Sequence, residues 1–409
     1  MGISHVGCPS NADISDAVDS LGVAVEEFRL FVRAGAGDDF PARGDPAGEV
    51  GGEGEYRIVG ALRQSWPHPG TPKPIVIIGA GGIVTDAHLP AYRLANLPVA
   101  GVFDLDAARS RAVAEQWNTR AFTSLDEAIA TSDAIYDLAL PPAAHLDVLP
   151  KLPGGAAVLL QKPMGRDLAE ATAILKLCRT KSLKAAVNFQ LRFSPMLLAV
   201  ADALDRGWLG RLIDVEVHLN LVTPWHLFPF LVGMPRVEIA VHSIHYLDAL
   251  RALLGNPTGV HARTLGHPST TLAQTRTSAL FDFAPDQRVT FSINHNHDFG
   301  RRFQDASFRI EGTEGAVMVK LGLLLNYPEG EPDELWITRR GEEDWTQVPL
   351  QGRWFPHAFI GTMSNLQRYT AGEDDRLVTS VEDAWHTMAL AEAAFESAAR
   401  PATPVRSAP

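Results

Sequence analysis

Short apolar runs alternate with amphipathic stretches between residues 74 and 192. The runs PIVIIG, PVAGVF, AIYDLAL and GAAVLLQ are rich in aliphatic residues, and the first two are followed by segments of helical character, TDAHLPAYRLA and AARSRAVAEQW. Strands that alternate with helices at this spacing indicate βαβ units and a parallel sheet. We therefore predict that residues 74–192 form a doubly wound α/β domain.

The pattern changes after residue 192 to longer strands in which apolar and polar residues alternate. This alternation covers residues 212–222, 277–284, 288–298 and 306–321. It is typical of antiparallel strands that turn one face to a core. Residues 193–379 are thus predicted to form a second α/β domain, a large, mostly antiparallel open sheet with helix 237–255 on one face. Residues 380–409 are predicted to be a helix that packs back on the first domain, followed by a tail.

The first 73 residues are predicted to be an extension of the main fold. Apolar residues recur at alternating four- and three-residue steps from Ile14 to Val32, which predicts an amphipathic helix that begins near Asp13. Either the main domain or a neighbouring subunit could cover its apolar stripe. Residues 34–56 are rich in glycine and acidic side chains and are typical of a flexible linker.

Composition narrows the class of protein. The 409 residues suffice for two or three domains with their own cores, and fractions of 46% hydrophobic and 21% charged residues are ordinary for a soluble globular protein. A net charge of −12 without a basic block argues against nucleic-acid binding. No run approaches the ~18 apolar residues of a membrane helix, and no secretory signal opens the chain. With only Cys8 and Cys178 present, we predict a reduced, cytoplasmic protein.

A glycine turn separates the first predicted strand from its helix. The sequence GAGGIV (79–84) fits a G-x-G-x-x-G frame, except that valine takes the place of the third glycine. The first two glycines allow close approach of the main chain to a pyrophosphate at a helix N-terminus. Asp104 ends the next strand, where an acidic residue binds the adenosine ribose. Because no arginine follows before Arg109, we predict a dinucleotide-binding domain that prefers NAD to NADP; a bare structural turn is the alternative.

The segment VEIAVHSIHYLDALRALLG, residues 237–255, predicts an apolar helix with three polar side chains near its start. Glu238, His242 and His245 are spaced i, i+4, i+7, so an α-helix would place them on one face. Three interpretations compete. The residues could form a metal site, to which His295 and His297 could add ligands, or an acid–base site, or they could be histidines buried in a core without a chemical role.

Lys162 directly follows an apolar strand and precedes a proline. Doubly wound sheets bind their ligands at the carboxyl ends of the strands. Lys162 is therefore predicted to orient and polarise a substrate hydroxyl beside a nicotinamide, and a solvated lysine at a strand end is the alternative.

Several other polar or aromatic residues are candidates for substrate contacts or a proton relay, with plain packing as the alternative for each. They are Gln190, Arg192, Trp225, His226, His295, His297, Trp354 and His357.

The glycine turn, Asp104, LPPAAH (140–145), QKP (161–163) and IHYLDALRALLG (244–255) occur in this order. Over residues 74–400 the chain thereby resembles the glucose–fructose oxidoreductase / inositol dehydrogenase / rhizopine catabolism (Gfo/Idh/MocA) family. The resemblance implies a Rossmann domain, a second α/β domain whose open sheet often forms dimer or tetramer contacts, and NAD(P)-dependent oxidation of a sugar or cyclitol hydroxyl. The cofactor contacts it implies are Gly79, Gly81, Gly82, Ile83, Asp104, Pro141, Pro142, His145 and Lys162.

Two positions depart from the pattern of that family. Gln161 stands where the family has glutamate before the lysine, and Val241 stands where it has an aspartate four residues before the histidine. His245 matches the family's histidine and Asp248 the acid that follows it. We expect Glu238 and His242 to supply the missing polarity from the same helical face.

The resemblance favours the acid–base interpretation of the predicted helix 237–255 (the histidine helix), because the hydride transfer of that family needs no metal. We predict His245 as the base, Lys162 as the group that polarises the oxygen, and no metal. One alternative is an enzyme that retains NAD and cleaves or epimerises a glycoside through transient oxidation. Another is a non-enzymatic sensor of nucleotide and sugar, against which the presence of Lys162 and His245 argues.

Overall fold

The structure is a computed structural model that describes residues 61–227, 231–327 and 329–406. The amphipathic helix and the linker predicted for the first 60 residues lie outside the described part of the chain.

The first sheet is parallel and five-stranded, in the order β2-β1-β3-β4-β5. All residues of β1, β3 and β4 are buried, which explains why these strands are uninterrupted apolar runs in the sequence. The strands are β1 Ile75–Ile78, β2 Val99–Phe103, β3 Ile135–Leu138, β4 Ala157–Leu160 and β5 Lys184–Val187.

Helices connect these strands as predicted for βαβ units, and several begin at residues that cap them. Asp106 accepts hydrogen bonds from the backbone N–H groups of Ala108 and Arg109, and Asp167 accepts one from Glu170. A π-helical turn, Val84–His88, precedes the first α-helix. The helices are α1 Leu89–Leu94, α2 Ala107–Trp117, α3 Leu125–Ile129, α4 His145–Val148 and α5 Leu168–Thr180.

The second sheet has eight strands in the order β13-β12-β11-β10-β6-β9-β8-β7, and among them only the β6–β9 pair is parallel. The two sheets confirm the predicted fold class. The strands are β6 Leu212–Asn220, β7 Gly259–Leu265, β8 Arg276–Asp282, β9 Arg288–Asn294, β10 Asp305–Gly312, β11 Gly315–Lys320, β12 Glu334–Arg339 and β13 Thr346–Gln347.

One face of the second sheet packs on helices, and the other is open. The alternation predicted from the sequence is visible in β8, where Thr277, Ala279 and Phe281 are buried while the residues between them are exposed. Tyr246 of the histidine helix packs edge-on against Phe291 and Phe308 of the sheet. The remaining helices are α6 Pro195–Asp205, α7 Ile244–Leu254, α8 His357–Ala371 and α9 Val381–Ala399.

The last two helices tie the domains together. Phe359, Met363 and Leu366 of α8 share a core cluster with strands of the first sheet, although the sequence analysis assigned α8 to the second domain. Helix α9 contacts the first domain through the Trp385 Nε1 bond to Thr172. At its other end, Ser397 Oγ accepts a hydrogen bond from the backbone of β7, so this helix packs on both domains and not on the first alone.

Residues 61–73, which the sequence analysis assigned to the extension, pack on the folded body. Leu62 is 4% exposed and belongs to the core of the second domain. Gln64 donates to Pro349 O and accepts from the backbone N–H of Gln351. Trp66 donates to Asp374 and lies edge-on against a phenylalanine ring. These contacts group residues 61–73 with the two domains that follow.

Candidate active site

The glycine turn at the end of β1 needs glycine at its first position. Gly79 has φ +105°, and a Cβ atom there would lie 2.3 Å from the carbonyl oxygen of Ala139. A Cβ atom on Gly81 would meet nothing within 4 Å, so this side of the turn is open to a ligand. The π-helical turn begins at Val84, two residues after Gly82. The chain thus presents an open main-chain cradle at a helix N-terminus, the geometry that binds phosphate groups.

Asp104 is fixed beside this cradle at the end of β2. Its carboxylate accepts hydrogen bonds from the backbone N–H groups of Ala80 (2.8 Å) and Asp106 (2.9 Å). Arg109 approaches the same carboxylate, with Nη1 3.5 Å from Oδ1, and 40% of its side chain is exposed. The carboxylate that we predict to bind ribose therefore lies at the strand end, and an arginine lies next to it.

A second carboxyl group, which the sequence analysis did not consider, lies against the glycines. Asp86 is in the π-helical turn, and its Oδ2 would lie 3.3 Å from a Cβ atom on Gly82. Burial raises the pKa of Asp86 to about 7, against the opposing effect of a hydrogen bond with Thr85. Near neutral pH this carboxyl is partly protonated, which weakens its repulsion of a phosphate group.

Lys162 reaches from the end of β4 to the start of the histidine helix. Its Nζ donates to the carbonyl oxygen of Val241 at 3.0 Å. Burial lowers the pKa of Lys162 to about 8. The side chain is thus both a cation and a potential proton carrier near neutral pH, at the carboxyl edge of the parallel sheet.

His245 lies in the first turn of α7 and is 7% exposed. Its Nδ1 is buried and has no hydrogen-bond partner among the described residues. The ring packs perpendicular to Trp354, with centroids 5.8 Å apart. Burial lowers the pKa of His245 well below its usual range, and the nearby Lys162 and His242 lower it further. His245 is therefore a neutral imidazole close to the Lys162 ammonium.

His242 belongs to a group of three aromatic rings. Its centroid lies 4.6 Å from that of His295 and 5.8 Å from that of Trp225, and the latter two rings are 5.2 Å apart. Burial, followed by the charges of His295 and Lys162, lowers the pKa of His242 well below its usual range. The sequence-predicted residues Trp225, His242 and His295 are thus brought together, on the side of the helix that faces Lys162.

Glu238 does not join His245, contrary to the prediction from i, i+4, i+7 spacing. Residues Glu238–Ser243 form a π-helical turn, which rotates later positions relative to an α-helix. The carboxylate is fully buried and accepts hydrogen bonds from Ser243 Oγ (2.6 Å) and Thr277 Oγ1, with His295 Nε2 at 3.4 Å. Among the described residues, no group of three His, Cys, Asp or Glu side chains could hold a metal ion.

Arg192 was predicted as a substrate contact, but its guanidinium is occupied by carboxylates. It binds both oxygens of Asp248, with Nε–Oδ2 at 2.5 Å and Nη2–Oδ1 at 2.6 Å, and its Nη2 also lies 2.6 Å from Asp383. The Arg192 side chain is 6% exposed and that of Asp248 is 1% exposed. We correct the prediction: this pair fixes the histidine helix to the chain that leaves β5.

The other predicted site residues fall into two groups. Buried polar atoms without a partner among the described residues occur at Gln190 Oε1, Trp225 Nε1, His297 Nε2, Trp354 Nε1 and both ring nitrogens of His145. Burial lowers the pKa of His145 to about 4. By contrast, His226 and Pro141 are exposed, Pro142 is partly exposed, and His357 Nδ1 accepts a bond from the backbone of Arg353.

The sequence analysis missed a buried network beneath Lys162. His88 Nδ1 lies 2.6 Å from Asp137 Oδ2, which also accepts a hydrogen bond from Tyr92 Oη (2.7 Å). Two amide groups approach the other nitrogen, His88 Nε2: Gln161 Nε2 at 3.2 Å and Asn188 Nδ2 at 3.4 Å. His88 sits within a stretch that reads as an ordinary amphipathic helix, so only the tertiary structure reveals its partners.

None of the helices in the described part of the chain has the length and hydropathy that a bilayer crossing requires.

Two family models match the chain. The model described as "Oxidoreductase family, NAD-binding Rossmann fold" matches residues 73–189. The model described as "GFO/IDH/MocA C-terminal domain" matches residues 197–318. Together they span more than half of the chain, the first over the dinucleotide-binding sheet and the second over part of the second domain.

Individual proteins of known name are similar over most of their length. A 1,5-anhydro-D-fructose reductase from Ensifer adhaerens is 24% identical over 280 residues, which cover 67% of this chain and 82% of that protein. A D-apiose dehydrogenase from Paraburkholderia graminis is 23% identical over 336 residues, or 79% of this chain and 86% of that protein. The solved structure of an oxidoreductase from Agrobacterium radiobacter in complex with NAD⁺, L-tartaric acid and magnesium has a TM-score of 0.66 at 21% identity, covering 80% of this chain and 97% of that chain.

Proposed function

We propose that this chain, which belongs to the Gfo/Idh/MocA family of NAD-binding oxidoreductases, oxidises a secondary hydroxyl of a sugar or cyclitol to a ketone or catalyses the reverse reduction. One observation carries the assignment of the site. Lys162 extends from the carboxyl edge of the dinucleotide-binding sheet to Val241 O, beside the two histidines His242 and His245 of the second domain. A substrate hydroxyl between them would meet a cation and a neutral base.

The chain's own residues fit a dinucleotide. The open side of the glycine turn at Gly81 leaves room for a pyrophosphate, and the carboxylate of Asp104 lies at the strand end where ribose hydroxyls bind. Bound NAD⁺ would supply the hydride acceptor, and loss of its ring charge would offset the charge gained when a base takes up the hydroxyl proton. The partly protonated Asp86 lowers the electrostatic cost of placing phosphate at this turn.

Lys162 and His245 divide the proton chemistry between them. Below pH 8 the Lys162 ammonium donates to the substrate oxygen and holds it in place, while His245 is neutral and able to accept the hydroxyl proton. Trp354 limits the rotation of the imidazole by packing perpendicular to it. In the direction of reduction the same two groups return the proton to the ketone oxygen.

NAD is the cofactor that we propose, because a carboxylate at the end of β2, the place of Asp104, would accept a hydrogen bond from the ribose 2′-hydroxyl and repel a 2′-phosphate. Arg109, whose Nη1 lies 3.5 Å from the same carboxylate, partly neutralises that repulsion. We therefore expect a preference for NAD that is modest, with measurable binding of NADP.

We propose a substrate of the sugar or cyclitol class. The names of the similar reductase from Ensifer adhaerens and D-apiose dehydrogenase support this class. The buried polar atoms of Gln190, Trp225 and Trp354 that lack a hydrogen-bond partner among the described residues also support it. A polyhydroxylated ring offers hydrogen-bond donors and acceptors to such atoms. The engagement of Arg192 with Asp248 makes this arginine unavailable for a phosphate or carboxylate on the substrate.

We also propose that the chain forms a dimer or tetramer through the open face of the eight-stranded sheet. Leu280 of β8 lies on that face and is 43% exposed. Light scattering should give a mass of at least two chains, and Leu280→Arg should reduce it. A monomeric wild-type protein would overturn this part of the proposal.

The proposed activity is tested by incubating the purified full chain with a panel of sugars, cyclitols and sugar phosphates and either NAD⁺ or NADP⁺, with NADH or NADPH absorbance as the signal. We expect net NADH formation with at least one uncharged sugar or cyclitol, and its loss in Lys162→Ala. Turnover of a glycoside without net NADH formation would replace the dehydrogenase by a cofactor-retaining enzyme. Binding of sugars without any turnover would indicate a sensor.

A further inference from the structure

The buried network beneath Lys162 is a directed chain of hydrogen bonds. The backbone N–H of Lys162 donates to Gln161 Oε1 at 2.9 Å. Gln161 Nε2 lies 3.2 Å from His88 Nε2, and His88 Nδ1 lies 2.6 Å from Asp137 Oδ2. One end is therefore a peptide N–H of the residue that we assign to catalysis, and the other end is a buried carboxylate on the neighbouring strand.

The direction of every bond in this chain follows from its first member. A backbone N–H can only donate, so the Gln161 oxygen accepts and the Gln161 amino group must donate to His88 Nε2. His88 Nε2 then carries a lone pair, and its proton is on Nδ1, where Asp137 accepts it. Asn188 Nδ2, 3.4 Å from the same His88 Nε2, is a second donor to that lone pair. The arrangement is satisfied only by a neutral histidine and a neutral amide at position 161.

We propose that His88, held by Asp137, is a positioning residue that fixes the side chain of Gln161 and through it the main chain and direction of Lys162. His88 is fully buried, and its ring nitrogens face Asp137, Tyr92, Gln161 and Asn188, so its action on Lys162 is indirect. The inference rests on the proposed catalytic role of Lys162, but the chain of bonds itself does not depend on that role.

The discriminating variant is Gln161→Glu, which is close in shape and lies at a partly exposed position. A glutamate can still accept the Lys162 N–H, but its other oxygen would face the lone pair of His88. The mismatch is relieved when one proton enters between the two acceptors, either on the introduced carboxyl or on His88 Nε2. We therefore expect this variant to lose kcat at neutral pH, up to about 100-fold, and to recover relative to the wild type as the pH falls.

Two His88 variants and one control variant, at the other end of the hydrogen-bond chain, complete the design. His88→Phe keeps a ring but removes the acceptor, and should lower kcat with little change in NAD affinity, whereas His88→Gln retains an acceptor and should restore part of the loss. Tyr92→Phe is the matched control, because it removes a donor from the same Asp137 oxygen while leaving the chain to Lys162 intact. It should keep the wild-type pH profile.

A readout that does not need activity is the rate at which an amine-reactive anhydride labels Lys162, measured by mass spectrometry against exposed Lys176 of α5 in the same sample. We expect faster labelling of Lys162 in Gln161→Glu and His88→Phe, wild-type labelling in Tyr92→Phe, and no change at Lys176. Labelling changes in a protein that oxidises no substrate would uphold the positioning chain and reject the proposed function. Wild-type labelling of Lys162 and a wild-type pH profile in both Gln161→Glu and His88→Phe, whatever their stability, would overturn the inference.

Discussion

The buried pair Arg192–Asp248 offers a quantitative test of how the histidine helix is held. Asp248 lies one helical turn after His245 in α7, and Arg192 lies on the chain that leaves β5. Three hydrogen bonds reach the Asp248 carboxylate: Arg192 Nε at 2.5 Å, Arg192 Nη2 at 2.6 Å and Thr387 Oγ1 at 2.9 Å. The perturbation is Asp248→Asn, which keeps the shape but removes the charge and one acceptor.

The expected loss in the free energy of unfolding follows from the burial of this ion pair. Removing one partner of a buried ion pair costs about 3–5 kcal/mol, because it leaves the other charge uncompensated. Arg192 retains Asp383, whose Oδ2 lies 2.6 Å from its Nη2, so the loss should lie at the lower end, about 3 kcal/mol. Two hydrogen bonds between oppositely charged groups would be exchanged for one from the guanidinium to a neutral amide oxygen, which gives a loss of the same order. Since the helix carries His245, we also expect kcat to fall.

The assay is urea unfolding of Asp248→Asn. The control is the same Asp-to-Asn substitution in an ion pair on the surface. Asp214 binds Arg288 through two bonds of 2.6 and 2.9 Å, but this pair is exposed. Asp214→Asn should therefore change the free energy of unfolding little or not at all. If Asp248→Asn is no more destabilising than Asp214→Asn, the pair does not hold the helix and our reasoning from burial is wrong.

Three further predictions concern the cofactor turn and Lys162. Burial lowers the pKa of Lys162 to about 8, and we propose that its charged form polarises the substrate, so kcat/KM for oxidation should fall as the pH rises through about 8; a rate that keeps increasing through this range would make Lys162 the base instead. Arg109→Ala leaves Asp104 without its neighbouring cation, so the ratio of NADP⁺ to NAD⁺ dissociation constants in fluorescence titrations should increase, and a decrease would contradict the assignment. Gly79→Ala places a Cβ atom 2.3 Å from a carbonyl oxygen at φ +105° and should lower the melting temperature strongly, whereas Gly81→Ala, with nothing within 4 Å, should melt like the wild type.

The fold was predictable where the sequence carries a strong local pattern. The buried parallel strands are uninterrupted apolar runs, and β6, β8, β9, β10 and β11 alternate clearly between apolar and polar residues. Strand β7 was missed because its burial pattern has no fully buried residue, and β13 because it has two residues. The position of α8 on the first sheet could not be predicted, since nothing local in a helix says which of two sheets will cover its apolar face.

The candidate site was predictable by residue type but not by geometry. Lys162 was predicted from its place at a strand end, and His245 from its place in a helix together with the family resemblance; the catalytic role of each is a proposal. Glu238 was assigned to the wrong neighbours because a π-helical turn is not encoded in an i, i+4 pattern. His88 was overlooked for a different reason. Its partners Asp137, Gln161 and Asn188 come from β3, the end of β4 and the end of β5, and only the packed sheet brings them together.

The measurement that tests the central claim most directly is the kcat of His245→Asn with the best substrate from the sugar panel, together with its dissociation constant for NAD⁺. The account predicts a loss of about 10²–10⁴ in kcat, the range for removal of a general base. Affinity for NAD⁺ should stay at the wild-type value, because His245 belongs to the second domain and, in the proposed site, faces the substrate. Full turnover in His245→Asn would contradict the account, and the neutral histidine beside Lys162 would then be part of the packing between the two domains.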